Sequence, residues 1–536
     1  MKHLIHAVAA AGLCAALLFS LTGCGHSSNT FTWGVDETPN NLDPQLAVTS
    51  ANRIAVTHLY SGLFRLGPDG QVNKECAQDY TISPDGLTYT FTLKEGLVYH
   101  TTKGRETPYT VTAEDFVFGL QRVFLPETRS PYAAELGNIQ GSDVVLNGGS
   151  RDALAVKALD DLTLEIRLQA PDEDFLKKLC LPGAMPCDQE FFESTGGAYG
   201  LTKANTISNG SFYLYNWTEG GLFLRRPAKD HLVDNLRLVA PADDSAPASS
   251  SEDEAEKNQD SPAKMVLDGK WQAALTDGDG GEEADSLIHL PYTSTTWTLI
   301  FNGSGPFASR DLRAALAQVA WNEQAFSMEG AIPATGLFPP ALELSCSGLP
   351  HLGDPAKLYH RGLEQSGKSS LTGMTILVPP GCESLFSSLN QEWQRQLQVY
   401  FSIKEVPLST LQDWLAGRLS AGEVQQLEQK NGPWAVALLP VAPTSADPAS
   451  LLYQFDGSLG NWQDSEFHNG LTKLTQMPSG PARREEALRL EQRLLTQSVA
   501  VPLFYQSNAL LVSPEIQGLV FDPFGPLLDL TYATKK

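Results

Sequence analysis

The chain has 536 residues, 42% of them hydrophobic and 19% charged, enough apolar surface for several cores rather than one. Its formal net charge is -24 and its pI is near 4.8, which argues against nucleic acid as a partner, because phosphate binding needs a basic face. HExxH, GxSxG and a phosphate-cradling glycine loop are absent and the ten histidines stand singly, so the chain reads as a binding protein rather than an enzyme, with no cofactor and no metal.

At the N-terminus, Lys2 precedes an apolar run from Leu4 to Leu21 and then Thr22-Gly23-Cys24. That run is long enough to span a bilayer, but the small residue directly before Cys24 and the polar HSSNT beyond it favour an export signal over 1–23. Leu21-Thr22-Gly23-Cys24 resembles a bacterial lipobox, which implies cleavage before Cys24 and a lipid on its thiol. Thr30 to Val35 reads as a strand ended by Asn41-Leu42-Asp43-Pro44. A helix follows from about Ser50 to Tyr60, with Ile54, Ala55, His58 and Leu59 on one side.

Thr88, Thr90 and Thr92 alternate with Tyr89, Phe91 and Leu93, a strand with one buried face, and Pro84-Asp85-Gly86 before it makes it the second arm of a hairpin. The period then changes: Thr112 caps a helix with Asp115 as its capping-box partner, and Phe116, Val117, Leu120 and Val123 form its apolar stripe. Val156 to Leu168 is a further hairpin with Asp160-Asp161 at the turn. Asp172 to Leu181 reads as a helix, Asn209-Gly210 as a tight turn needing positive φ, and Leu222–Arg226 and Leu236–Val239 as strands.

Pro241 to Ala263 is acidic, Ser-rich and almost free of large apolar residues, the composition of a disordered insert. Asp277, Asp279, Glu282, Glu283 and Asp285 cluster just beyond it but lack the twelve-residue calcium-loop pattern. TWTLIFN, from Thr296, opens a new lobe, followed by a helix from Arg310 and a loop over Pro333 to Pro340. Strand Met374–Pro379, helix Glu383–Leu397, strand Tyr400–Val406, helix Leu411–Gln429 and strand Trp434–Val441 then alternate as in a parallel α/β sheet with right-handed crossovers. Ligands of such sheets sit beyond the carboxyl ends of the strands, which singles out the loop after Val441. A charged amphipathic helix, Gly480 to Leu495, and the strand Ala500–Tyr505 follow. Among the cysteines, Cys180 and Cys187 bracket LPGAMP closely enough for a disulfide, Cys346 with Cys382 is a second pairing, and free buried thiols are the alternative.

The runs DGLTYTFTLKEGL and VTAEDFVFGLQR, the Leu42-Asp43-Pro44 segment, VKALDDLTLEI from Val156 and SNGSFYLYNW from Ser208 together resemble the extracytoplasmic solute-binding proteins of family 5, the oligopeptide- and dipeptide-binding lipoproteins of peptide ABC transporters. The likeness spans nearly the whole mature chain apart from the acidic insert. It implies an α/β, two-lobed periplasmic-binding-protein type II fold with an extra hairpin-rich domain in the first lobe. Lobe I would cover 24–57 and 181–295, with the insert at 241–263; the hairpin-rich subdomain 58–180; lobe II 296–495; and a return to lobe I 496–536. The resemblance further implies a monomer that closes on a peptide by hinge motion and docks on permease subunits. Its acyl chain, palmitate, on Cys24 would hold it on the outer face of the cytoplasmic membrane or in the periplasm.

The resemblance also implies four contact regions: backbone groups of Val48, Thr49 and Ser50; Tyr132; Tyr505; and the loop after the last buried strand. In peptide-binding relatives that loop reads Trp-x-Ala-Asp-Tyr-x-x-Pro and its Asp holds the ligand's α-ammonium. Here it runs from Val441 to Pro448, with Thr444 at the Asp position and Asp447 a substitute only if the loop shifts. A buried ammonium without a carboxylate costs on the order of several kcal/mol. Peptide is therefore the leading solute, with two alternatives: another solute (a blocked peptide, an oligosaccharide, a metal chelate), or a surface interaction protein that kept the fold and lost the ligand.

Overall fold

The computed structural model describes residues 29–35, 37–227, 232–240, 260–278, 280–323, 330–344, 348–456, 459–524 and 527–536. The expected signal segment, Cys24, residues 241–259 of the acidic insert, Asp279 and Cys346 lie outside them. No helix among the described residues is long and apolar enough to cross a membrane.

Two long strands, Ile288–Phe301 and Ala500–Val512, lie antiparallel at the middle of one large sheet. Both are rich in β-branched and aromatic residues and largely buried, as a strand covered on both faces requires. Each gives one end to each half of the molecule. In the first half, Asn508 to Val512 pair with Ala273–Asp277, beyond which the sheet continues through Thr30–Gly34, Asn235–Val239, Gly221–Arg225 and Tyr213–Thr218. In the second half, Thr296 to Phe301 pair with Trp434–Val441, followed by Thr375–Val378 and Ser402–Glu405. These last three strands are mutually parallel, as the strand-helix alternation predicts. The register between the long strands slips between Tyr292 and Thr295 and again between Trp297 and Thr298. The 295/296 boundary read from the sequence falls inside the continuous Ile288–Phe301 strand.

Between the Thr30–Gly34 and Tyr213–Thr218 strands the chain builds a separate four-stranded sheet from Ala77–Ile82, Thr88–Leu93, Thr163–Arg167 and Val156–Asp160. The Ala113–Phe124 helix packs on it, and the Asp115 carboxylate accepts the Thr112 N–H at 2.9 Å, as the capping box predicts. Charged side chains tie the pieces together. Arg65 is buried and donates to Glu75 (2.5 Å), Asp529 (2.7 Å) and the carbonyls of Thr57 and Tyr60, so the C-terminal segment returns to this half. His58 lies beside it, its Nδ1 2.7 Å from the Ile54 carbonyl while its Nε2 accepts the Leu530 N–H at 3.0 Å. Burial lowers its pKa, which keeps the imidazole neutral, as that pairing needs.

Several local expectations change. The helix over Asp172 to Leu181 reduces to one turn, Phe175–Lys178, before Pro182 starts another. The helix over Leu411–Gln429 is two, Leu408–Leu415 and Ala421–Asn431, because Gly417 takes φ +66 and Ser420 caps a new start. The disordered insert ends early: Ser261 caps a helix over Pro262–Leu267. The Cys180–Cys187 disulfide is absent. Cys180 stays beside the Phe175–Lys178 turn, its Sγ 3.6 Å from the Leu176 carbonyl, whereas the Pro182–Ala184 turn carries Cys187 to Phe118, Tyr199 and Arg122. Burial pushes both thiols up to about 12, so they stay protonated and inert.

Gly210 is needed, but not for a positive φ, which it does not have. Its N–H reaches the Leu59 carbonyl at 2.8 Å, and a Cβ there would stand 2.5 Å from the Leu59 carbonyl carbon and 2.6 Å from the Tyr60 nitrogen. Asn209 closes the same junction through Ser61, donating to its carbonyl at 2.9 Å and accepting its N–H at 3.2 Å. Since backbone, not a flexible side chain, fills the space, Gly210→Ala will destabilise the protein by about 1–3 kcal/mol, read from the midpoint of urea unfolding.

Candidate functional site

Residues of both halves line a cavity of about 760 Å3. Met185, Lys178 and Phe524 line it from the first half, and Leu342, Asp447 and Arg484 from the second. Its lining mixes apolar side chains with ten charged residues, and convergent polar groups on an otherwise apolar wall are what fix a ligand's orientation.

On the first-half side, one chain of hydrogen bonds sets the position of the Ala47–Ser50 loop. Asp43 caps the turn at Pro44–Leu46 and pairs with the buried Arg122, which also donates to Gln45 Oε1 at 2.6 Å and lies over the Phe192 ring at 4.2 Å. Ser130 Oγ donates to the Gln45 carbonyl and Tyr132 Oη to the Ala47 carbonyl, both at 2.7 Å. Tyr132 is completely buried, so it braces this loop from behind instead of lining the cavity. Val48, Thr49 and Ser50 remain half-buried, and Thr49 Oγ1 accepts the Asn52 N–H at 3.2 Å as a helix cap. Tyr505 plays the same bracing part in the second half: its hydroxyl accepts the N–H groups of Gly336 (2.9 Å) and Thr335 (3.2 Å). Of the residues expected at the cleft, Asp447 alone lines this cavity; Val48, Thr49, Ser50, Tyr132, Thr444 and Tyr505 do not.

Asp447, the substitute expected if the loop shifts, lines the cavity with its carboxylate already paired. Its carboxylate is held by Arg483 at 2.6 Å, stands 3.9 Å from Lys178, and accepts the Ala449 N–H at 3.0 Å. Burial opposes its charge, but Arg483 and then Lys178 outweigh that and hold its pKa below the ordinary value. Thr444 is buried, and its hydroxyl donates across the boundary between the halves to Glu135. Glu135 sits in the one-turn helix Ala133–Leu136, where Ala134 packs into the core of the second half. Burial pushes its carboxyl up to about 7, and Asp447 adds to this, against the lowering effect of the Thr444 bond. Glu37, half-buried, is likewise raised by burial, with Thr49 bonded to it and Asp413 of the second half adding repulsion. Neither acid carries a motif; a Glu inside a short apolar turn, Ala133-Ala134-Glu135-Leu136, was the one available signal.

The sign of the Glu135 effect is fixed by its direction. A folded-state pKa raised from 4.5 to about 7 gives stability that is complete below 4.5 and lost as pH climbs through 7. Across that window the ligand-free wild type will lose about 3 kcal/mol that a Glu135→Gln variant keeps. Urea unfolding of both proteins on either side of the window measures the difference.

The profile of the bacterial extracellular solute-binding proteins, family 5, middle region, matches residues 71–463. The dipeptide-binding protein of Lactococcus lactis subsp. cremoris is 24% identical, the match covering 96% of each chain. AliB, an oligopeptide-binding protein of Streptococcus pneumoniae, is 30% identical over 43% of this chain and 37% of its own. Among solved structures, the substrate-binding domain of an oligopeptide ABC transporter from Bacillus anthracis superposes with a TM-score of 0.75 at 21% identity, covering 95% of this chain and 99% of that one. Listeria monocytogenes OppA bound to peptide gives 0.73 at 20% identity, with coverages of 95% and 99%. The fold is the two-lobed α/β type II periplasmic-binding-protein fold, so the halves described above are its lobes. With the profile spanning most of its length, the chain belongs to the bacterial extracellular solute-binding proteins of family 5.

Proposed function

We infer that this chain is the lipid-anchored, monomeric substrate-binding component of an ABC importer for peptides. The observation that carries the reading is the 760 Å3 cavity bounded by both lobes, with apolar and charged side chains on its walls. Such walls accept varied side chains, while main-chain groups recognise what all peptides share. The names of the relatives, dipeptide- and oligopeptide-binding proteins, support the same solute class. The reading carries a domain division with it. With lobe I over 24–57, 181–295 and 496–536, the hairpin-rich part over 58–180 attached to it, and lobe II over 296–495, closure is a hinge motion about the crossing strands. The closed form is what the permease receives.

A specific observation favours a second reading, in which the lobes hold a solute other than a free peptide or none. Thr444 brings no charge to the position where the resemblance implies Asp, and Asp447 is already paired. Thermal unfolding of the domain begun after Cys24 decides between them, with di- to pentapeptides as probes and sugars as controls. A peptide at a hundred times its Kd will add about 2.7 kcal/mol; a shift with sugars alone, or with nothing, removes the peptide reading. The anchor rests on Leu21-Thr22-Gly23-Cys24. Cys24→Ser will move the protein from the membrane fraction to the soluble fraction of cells expressing the full chain, and continued membrane retention would rule out the lipid.

A further inference from the structure

Glu135 is 1% exposed, yet only one of its carboxylate oxygens is engaged. Oε1 accepts the Thr444 hydroxyl from the opposite lobe, while Oε2 has no hydrogen-bond partner among the described residues. A carboxylate offers about four lone-pair sites, and leaving a buried one half-satisfied is costly. The neighbouring cations are committed elsewhere. Lys178 is 2.7 Å from Asp172 and 3.9 Å from Asp447, and Arg483 pairs with Asp447 and the Leu474 and Met477 carbonyls. Arg53, whose charge Glu135 influences, donates to the Phe524 carbonyl at 2.9 Å instead. Setting Arg53 aside, three acids, Glu135, Asp447 and Asp172, thus share two cations.

We propose that Glu135 is the ligand-binding carboxylate of this protein, reaching from lobe I to the Thr444 position of lobe II to take the ammonium group of a bound solute. The assignment rests on the reading of the cleft as a solute site, and it explains how a cation is held although Thr444 has no charge. Glu135 is not itself on the cavity wall, but Asp447 and Lys178, whose charges act on it, are. The same bond links closure to occupancy: with the lobes together, Thr444 fixes Oε1 and an ammonium completes Oε2. In the empty protein a proton takes that place, which agrees with the raised carboxyl. Protons and ammonium therefore compete, in the field of Asp447, Lys178, Arg53, Tyr132 and Tyr453.

Calorimetric titration tests this, with each di- to pentapeptide supplied with a free and with an N-acetylated amino terminus. Wild type will prefer the free form by at least about tenfold, and the preference will shrink as pH falls below 7. In Glu135→Gln, which keeps an oxygen for Thr444, the preference will fall to within about twofold at every pH, while acetylated peptides bind as they do to wild type. The double variant Glu135→Gln/Thr444→Asp, with the carboxylate moved to the other end of the same hydrogen bond, will restore it. A ligand-free melting curve shows that each variant is folded. Should wild type bind peptides while Glu135→Gln keeps the full preference, or should acetylated peptides weaken equally, the Glu135 assignment is overturned and the peptide reading stands. Should no peptide bind wild type in either form, the peptide reading falls and the assignment with it.

Discussion

Everything in this molecule hangs on the ladder between Ile288–Phe301 and Ala500–Val512. The two strands are the only segments that belong fully to both halves of the large sheet among the described residues, so both lobes inherit their orientation from this one antiparallel pair. Its backbone bonds cannot be given up cheaply, because the strands are covered on both faces and a buried unpaired N–H or C=O costs about as much as a lost hydrogen bond. What the pair does allow is twist. The register slips at Tyr292/Thr295 and Trp297/Thr298 lie where the strands pass from one lobe to the other, and irregularities of this kind bend and locally over-twist a ladder without breaking it. The polar residues there are internally satisfied, with Thr296 Oγ1 bonded to the Leu337 carbonyl and Thr298 Oγ1 to that of Thr296.

No described residue of the two long strands lines the cavity, whereas Ser445 to Pro448 do. The Ala47–Ser50 loop and the Thr444–Pro448 loop are each fixed by a few side chains. Tyr132, Ser130 and Arg122 hold the first through its carbonyls and through Asp43 and Gln45; Arg483 and Ser450 hold the second. The tyrosines read as cleft walls serve this function one step back. A buried tyrosine needs a partner for its hydroxyl, and a loop carbonyl or turn N–H is what both Tyr132 and Tyr505 find.

Features set by neighbours in sequence were legible in it. The alternation from Thr88 to Leu93, the capping box of Thr112 and Asp115, the Asp160-Asp161 turn, the Glu383–Leu397 helix and the Trp434–Val441 strand all stand where their patterns place them. Features set by distant partners were not. Gly210 looked like a turn residue because Asn-Gly is turn chemistry, but what demands glycine is the backbone of Leu59 and Tyr60, about 150 positions earlier, for which spacing has no signature. Cys180 and Cys187 are near in sequence and parted by a Pro-started turn. Thr444 and Glu135 are 309 positions apart, and Asp447 meets Arg483 across a further 36. The loss of a carboxylate at Thr444 was therefore visible in the sequence, and the carboxylate facing it was not.

The treatment of buried charge elsewhere gives that pairing its weight. Arg65 has two carboxylates and two carbonyls, Arg122 has Asp43 and two rings, and Arg313 has the carbonyls of Phe307 and Gln497. Asp529, Asp447 and Asp172 each face a cation. Such completeness is what low dielectric enforces, since breaking a buried pair costs about 3–5 kcal/mol. Against it, Glu135 Oε2 and Arg53 Nε are two of the exceptions among the described residues, and Asp234 Oδ1 is another; the Glu135 charge acts on Arg53, yet no hydrogen bond joins the two. Two buried groups of opposite sign that pass each other by would be a defect in a structural core. The fold keeps them apart by giving Arg53 to the Phe524 carbonyl and Glu135 to Thr444, and on the proposal above the free carboxylate oxygen is the place left for a solute's ammonium.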